Sequence, residues 1–315
     1  MREAPIVRLL PDGPRLHLHD GPIDLIVQAF GERTQIEAAY HAGARRFAAV
    51  LDELCAELPL LRTAARPGVT LLQGAIARRM EAAVAPFAGR CFITPMAAVA
   101  GAVAEEILEA MIADTPLKRA YVNNGGDIAL FLAPEEKFRV GMVERPDGFS
   151  LFGTATISAA DPVRGIATSG WHGRSFSLGI ADAVTVLADR ASFADAAATI
   201  VANAVDLPGH PAIDRVPANS IQPDTDLGDR IVTRAVGHLP VRDAAEALTR
   251  GVSVAEELIA GGLIRAAALC LQGQTRVAGI AATAVESLPG AALTAPLDTT
   301  ILQPAKTLLP GSFRA

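Results

Sequence analysis

Rings are scarce in this chain: aromatic residues make up only 4% of it, with a single Trp. Ala, Val and Leu must therefore fill the core. Cysteine is scarce as well, and Cys55, Cys91 and Cys270 stand far apart with no pair spacing and no His beside them. That spacing supports neither a zinc site nor a disulfide framework, so all three are expected as small buried hydrophobes. No segment offers the roughly 18 consecutive apolar residues of a membrane span, and the start MREAPIVRLLPDGPR has no apolar signal core. The expectation is a cytoplasmic chain with no membrane partner. Basic charge is not in excess either: 28 Lys and Arg against 34 Asp and Glu leave a net charge of -6. A general nucleic-acid surface needs clustered cations, so no nucleic-acid partner is expected, local basic loops aside. What is present is 50% hydrophobic and 20% charged residues over 315 positions, the composition of a globular chain.

Taken in order, RLHLH and IDLIVQAF read as two strands joined at Asp20-Gly21-Pro22. Alternation puts His17 and His19 on one face, where two imidazoles without a third ligand read as a solvated strand face. Thr34 to Glu37 has the form of a capping box opening a long helix. A second helix is expected from Gln73 to about Ala85. Thr94 and Pro95 suit the N-cap and first position of a third, AAVAGAVAEEILEAMI, whose first turns are nearly bare of side chains. That bareness admits an anion, or simply tight helix packing. Phe138 to Ser158 reads as a β-meander turning at Arg145 to Gly148. Residues from about 207 to 230, with four prolines and several acidic residues, are expected as a long irregular loop, in which Asp214, Asp224 and Asp226 are solvated rather than metal-bound. Val241 to Gly261 is expected as a helix broken around Gly251, and Ile264 to Ile280 as closing strands.

Three stretches hold polar groups that simple folding does not explain. Asn123-Asn124-Gly125-Gly126-Asp127 lies between two apolar runs; it is either a turn or a turn that also binds, since a carboxylate beside so apolar a stretch needs a partner. GIATSGWHGRS gathers glycines, hydroxyls, His172, Arg164 and Arg174, groups that can surround a phosphate, although it is neither a Walker loop nor a Rossmann fingerprint. The helix after it is almost entirely Ala, Ile and Val, except that Asp195, Thr199 and Asn203 recur at i, i+4 and i+8 along one side.

NNGGDIAL, FRVGMVERPDG, ATSG, HGRSFSLG, AVTVLA and ADAAATIV occur in the order seen in the FAD:protein FMN transferase, or ApbE-like, superfamily. The chain resembles that superfamily over about Thr94 to Asn203, and more narrowly its uncharacterised, short cytoplasmic branch. The resemblance implies an α+β fold, ApbE-like or T-fold-like, with antiparallel sheets covered by long helices in one domain over residues 1–315. It implies Mg²⁺ held by Asp195, Thr199 and the main-chain carbonyl of roughly Ala98. It further implies FAD, as substrate or ligand, lined by Asn124, Gly125, Gly126, Asp127, Thr168, Ser169, Gly170, His172 and Arg174.

The implied activity is FMN transfer to a Ser or Thr of an acceptor protein, or hydrolysis of FAD to FMN and AMP; the alternative is a non-catalytic or differently catalytic binder of a flavin or pterin-like cofactor. A homodimer is the expected assembly. Two departures stand out. Where the superfamily helix reads KGxxxD, this chain has Ala100, Gly101 and Glu105, and the His-centred loop keeps His172 and Gly179 but has no Asp-Pro pair.

Overall fold

Alternating burial along short segments sets the architecture. In Leu16 to Asp20 the odd-numbered histidines are half-buried while Leu16, Leu18 and Asp20 are buried, so one face of the strand is pressed into a core and the other is not. The computed structural model describes residues 4–11, 13–143 and 151–279, so the turn expected at 145–148 and the tail from Pro289 lie outside the described residues. The first half contains β1 (Ile6–Leu9), β2 (Leu16–Asp20), β3 (Ile23–Phe30), α1 (Arg33–Ala56), α2 (Leu58–Leu61), α3 (Ala75–Val84), α4 (Val99–Ile112), β4 (Arg119–Asn124) and β5 (Asp127–Leu132). The second half adds β6 (Lys137–Val143), β7 (Leu151–Ser158), β8 (Gly165–Ser169), β9 (Ala183–Ala188), α5 (Ala191–Ala204), β10 (Ile213–Pro217), α6 (Ala218–Ile221), β11 (Ile231–Val236), α7 (Val241–Ala260), β12 (Ala266–Leu271) and β13 (Gln274–Gly279).

Nine strands form one sheet in the order β1-β2-β3-β4-β5-β8-β9-β12-β13, and every neighbouring pair is antiparallel. Helices α1, α4, α5 and α7 pack against this sheet and one another. The main core, which includes Leu18, Leu25, Val27, Val122, Ala129, Ala167 and Val186, lies between sheet and helices. Ile26, Tyr121, Ile128, Leu130 and Ile166 alternate to the other face, where Phe138, Val140 and Ile157 of the β6–β7 hairpin join them in a second core. The fold is therefore α+β with antiparallel sheets and long helices, as expected. Small residues set how closely the layers approach: a Cβ on Gly101 of α4 would stand 2.3 Å from the Ala191 carbonyl oxygen, and one on Gly165 would stand 2.2 Å from the Ala191 nitrogen. The start of α5 thus rests on bare backbone from both sides.

Several expectations are corrected. α1 starts at Arg33 with Glu32 at its N-cap and no side-chain cap; Glu37 pairs with Arg33 at 2.8 Å, so the capping box does not form. The stretch 207–230 is not irregular throughout: β10 pairs with β11, and α6 follows β10 directly. Its prolines flank the strand or end it, where no ladder N–H is needed. α7 runs unbroken through Gly251, because a Cβ there would meet Val205 at 2.4 Å and Leu269 at 2.7 Å, so the glycine serves packing rather than a break. Cys55 and Cys91 are exposed, and only Cys270 is a buried hydrophobe. Asp214 and Asp224 stay solvated, as expected, in exposed pairs with Arg234 and Arg62, whereas Asp226 accepts the Thr94 hydroxyl. Thr94 thus spends its side chain on Asp226 instead of capping the short 3-10 turn Pro95–Ala98 that leads into α4. Among the described residues no helix is long and apolar enough to cross a membrane.

Candidate functional site

β4 and β5 are joined by a two-residue turn, Gly125-Gly126, in which both glycines hold positive φ (67° and 118°). Only glycine adopts both readily. The turn places Asn124 at the end of β4 and Asp127 at the start of β5. Asn124 Nδ2 donates to the Ala100 carbonyl in the first turn of α4 at 3.2 Å, and the Gly126 N–H donates to Asn123 Oδ1 at 2.8 Å. The loop is therefore fixed to the helix start rather than free, and the Arg174 guanidinium lies over it, where a Cβ on Gly125 would stand 2.0 Å from an Arg174 nitrogen.

Asp195, on α5, accepts a hydrogen bond from the Gly101 N–H at 2.9 Å. That bond is short enough only because α5 and α4 touch through glycine. Burial, and then the negative charge of Asp127, push Asp195 well above the ordinary carboxylate range; the N–H groups of Gly101 and Ala100 offset this in part. Asp127 is pushed up to about 7, mainly by burial, against the opposing pull of the Thr168 N–H and the Arg174 charge. Its Oδ1 accepts the Thr168 N–H at 3.3 Å. Two carboxylates from β5 and α5 thus share one weakly solvated space at the start of α4, with one guanidinium close to them.

The other expected residues divide. Thr199 lies one turn beyond Asp195 on α5 and is half-buried, and Ala98 is fully buried at the junction of the 3-10 turn with α4, against which α5 packs. The third member of the polar stripe departs: Asn203 Oδ1 accepts the Leu178 N–H at 2.9 Å and the Ser177 hydroxyl at 3.3 Å, holding a loop that also anchors Arg215 and Thr233. Thr168 turns its hydroxyl to Thr185 at 3.0 Å. Ser169 is half-buried at the end of β8, and Gly170 follows it, where a Cβ would stand 2.3 Å from the Asp182 carbonyl oxygen.

His172 is not alone. Its Nε2 lies 3.2 Å from Asp182 Oδ1, its ring centroid is 3.8 Å from that of Trp171, and Trp171 Nε1 donates to the same Asp182 oxygen at 3.1 Å. The second Asp182 oxygen accepts the Gln272 N–H at 2.5 Å. Sequence reading missed Asp182; the signal was a carboxylate standing directly before a fully buried strand, where it must find partners.

Glu105 was noted in the sequence only as a departure from the superfamily helix, and its contacts were not foreseen. It is buried and accepts the Ser192 N–H at 2.7 Å, the Ser192 hydroxyl at 2.9 Å and Arg190 at 2.8 Å. A glutamate at the first turn of α5 satisfies otherwise unpaired N–H groups and complements the helix dipole, so this residue clamps α4 to α5 and is not part of the open donor set.

A family model described as AbpE bacteria matches residues 7–277, most of the chain. Curated relatives include a UPF0280 protein of Methanopyrus kandleri, 39% identical over 163 residues, which are 49% of this chain and 59% of that one. A UPF0280 protein of Methanococcoides burtonii is 37% identical over 39% of this chain and 50% of its own. The chain thus spans about half the length of the curated relatives it matches. Among solved structures, the apo flavinyl transferase ApbE of Pseudomonas stutzeri is 10% identical with a TM-score of 0.41, over 88% of this chain and 95% of that one. The apbe protein of Thermotoga maritima is 13% identical with a TM-score of 0.41, over 83% and 96%. Likeness at that level does not say which side chains do chemistry.

Proposed function

The chain belongs to the family described as AbpE bacteria, and from that premise we propose that it binds FAD, or a related flavin nucleotide, by its diphosphate beside Asp127 and Asp195 and cleaves that diphosphate with release of AMP. The observation that carries the reading is the carboxylate pair itself. Two acids whose charges are penalised by burial, that of Asp195 also by the charge of Asp127, require a cation when ionised at neutral pH, and a single arginine does not supply enough charge for both and for an anionic ligand.

The donor set fits Mg²⁺, which takes hard oxygen ligands and keeps open positions for phosphate. Asp195, the Thr199 hydroxyl and the Ala98 carbonyl would hold the ion, with Asp127 beside them. When bound, Mg²⁺ supplies charge neutralisation at the diphosphate oxygens. The remaining work falls to the chain. Arg174 over the Gly125 turn offers a guanidinium to a phosphate, and the glycines let the ligand approach the backbone closely.

His172, donating Nε2–H to Asp182, keeps a basic lone pair on Nδ1. That nitrogen accepts the proton of the attacking hydroxyl as it bonds to the FMN-side phosphorus and the bond to the AMP oxygen breaks. A protein Ser or Thr as nucleophile gives an FMN-bearing protein; water gives FMN.

The test is to incubate the purified chain with FAD and Mg²⁺ and separate the nucleotides by chromatography. AMP is expected to appear with Mg²⁺ and to vanish with chelator or with Asp195→Asn. AMP release undiminished by Asp195→Asn would sink the assignment. Flavin retained without AMP would instead mark a non-catalytic binder of a flavin or pterin-like cofactor.

A further inference from the structure

The two histidines of β2 have a third neighbour that the sequence order hides. His17 and His19 share the face of β2 that points away from the helices, because Leu16 and Leu18, which alternate with them, belong to the helix-side core. Asp24 stands directly opposite His19 in the β2–β3 ladder. His17 Nε2 lies 2.6 Å from Asp24 Oδ1, and the two imidazole centroids are 6.1 Å apart. One ligand atom from each of the three residues falls within 4.8 Å of the others, and all three side chains are half-buried. This corrects the reading of these histidines as a solvated face lacking a third ligand.

We propose that His17, His19 and Asp24 bind a divalent first-row transition-metal ion such as Zn²⁺ or Co²⁺. Two imidazoles and a carboxylate are the ligand types such ions select, and three protein ligands leave room for water. Ligands of an ion held at about 2.0–2.1 Å stand a little over 3 Å apart, so half-buried rings have only a small adjustment to make from the present spacing. The backbone beneath them is stiff: residues 17 to 24 are two paired strands joined by the Gly21-Pro22 turn. Mg²⁺ favours all-oxygen shells, so this site and the Asp127–Asp195 site select different ions. They also lie on opposite faces of the sheet: Asp24 shares its face with Ile26 of the second core, whereas Asp127 shares its face with Ala129 of the helix-side core.

One contact opposes the ion and sharpens the test. Arg8 Nε donates to His17 Nδ1 at 3.1 Å, so the ring proton sits on Nε2 and is given to Asp24. Metal at Nε2 takes that place, the proton moves to Nδ1, and Arg8 must swing away. Arg8 is exposed on the edge strand β1 and can do so. It is therefore a competing cation whose removal strengthens binding.

The experiment uses the untagged chain, stripped with chelator and titrated with Co²⁺, whose visible d–d absorption reports imidazole coordination, and with Zn²⁺ by calorimetry. One ion per chain is expected. His19→Gln and Asp24→Asn should each weaken binding at least about 10-fold with unchanged far-ultraviolet circular dichroism. Arg8→Ala should tighten it several-fold, and Asp195→Asn should leave it unchanged. No d–d band in the wild-type chain, binding that survives His19→Gln, or binding lost in Asp195→Asn would each overturn the proposal.

Discussion

The carboxylate of Asp127, at the first residue of β5, raises the pKa of Asp195 on α5, and burial raises both. Stability is thereby given up at one place in the fold, and the loss has a definite sign. An unfolded aspartate releases its proton near pH 4, whereas folded Asp127 holds it up to about 7. Between these values the native state binds more protons than the unfolded state, so stability falls as pH rises. The contribution is fully present below the unfolded pKa and is lost once pH passes the folded pKa.

The first prediction follows from that sign. The metal-free chain should lose stability between about pH 4 and pH 7, measured by chemical denaturation, and Asp127→Asn or Asp195→Asn should flatten the loss and raise the neutral-pH midpoint. One pKa unit corresponds to about 1.4 kcal/mol, and the partial solvent access of the pair reduces the total. An Asn variant less stable than the parent at pH 8 would contradict the account.

Gly101→Ala should destabilise the chain by about 1–3 kcal/mol, although alanine is the better helix former by about 1 kcal/mol. The added methyl meets the Ala191 carbonyl oxygen at 2.3 Å, which is backbone that cannot rotate aside. It also pushes α5 from α4 and stretches the bond from the Gly101 N–H to Asp195. Denaturant midpoint and AMP release should fall together.

Glu105→Gln should cost about 1–3 kcal/mol, because a buried carboxylate that accepts from Ser192 and pairs with Arg190 loses its charge while those partners stay. Its effect should appear in the denaturation midpoint, with the KM for FAD nearly unchanged. A selective rise in KM would place Glu105 in the ligand site instead.

Asp182→Asn tests His172 without touching it. The amide cannot hold the imidazole in the same tautomer as the carboxylate, so kcat for AMP release should fall about 10-fold or more, with its pH profile displaced and KM little altered. An unchanged pH profile would show that Asp182 only supports Trp171 and Gln272.

How far the sequence was legible depended on whether a residue's partner was local. The apolar runs RLHLH and IDLIVQAF on either side of the Gly21-Pro22 turn gave β2 and β3, and the bare start of α4 admitted an anion or close packing, of which the Gly101–Ala191 contact shows the packing. β1 escaped notice because Ile6 to Leu9 is exposed throughout and shows no alternation. Gly251 suggested a break because its packing partners, Val205 and Leu269, are distant in sequence.

The site divided in the same way. Asp195 and Asp127 were visible as carboxylates in apolar surroundings, but their pairing depends on how α5 lies over the end of β5. Asn203 shared the helical spacing of Asp195 and Thr199 yet binds the Ser177–Leu178 loop, a distinction that spacing on one helix cannot make. Asp182 and Asp24 were hidden because each acts across strands or loops.

The central claim is that Asp127 and Asp195 form the seat of a Mg²⁺-bound diphosphate, and calorimetric titration of FAD into the chain with and without Mg²⁺ tests it most directly. Binding of FAD should strengthen at least 10-fold on adding Mg²⁺, by about 1.4 kcal/mol or more, and Asp195→Asn should remove that gain. FAD binding that is indifferent to Mg²⁺, or a Mg²⁺ dependence that persists in Asp195→Asn, would contradict the account.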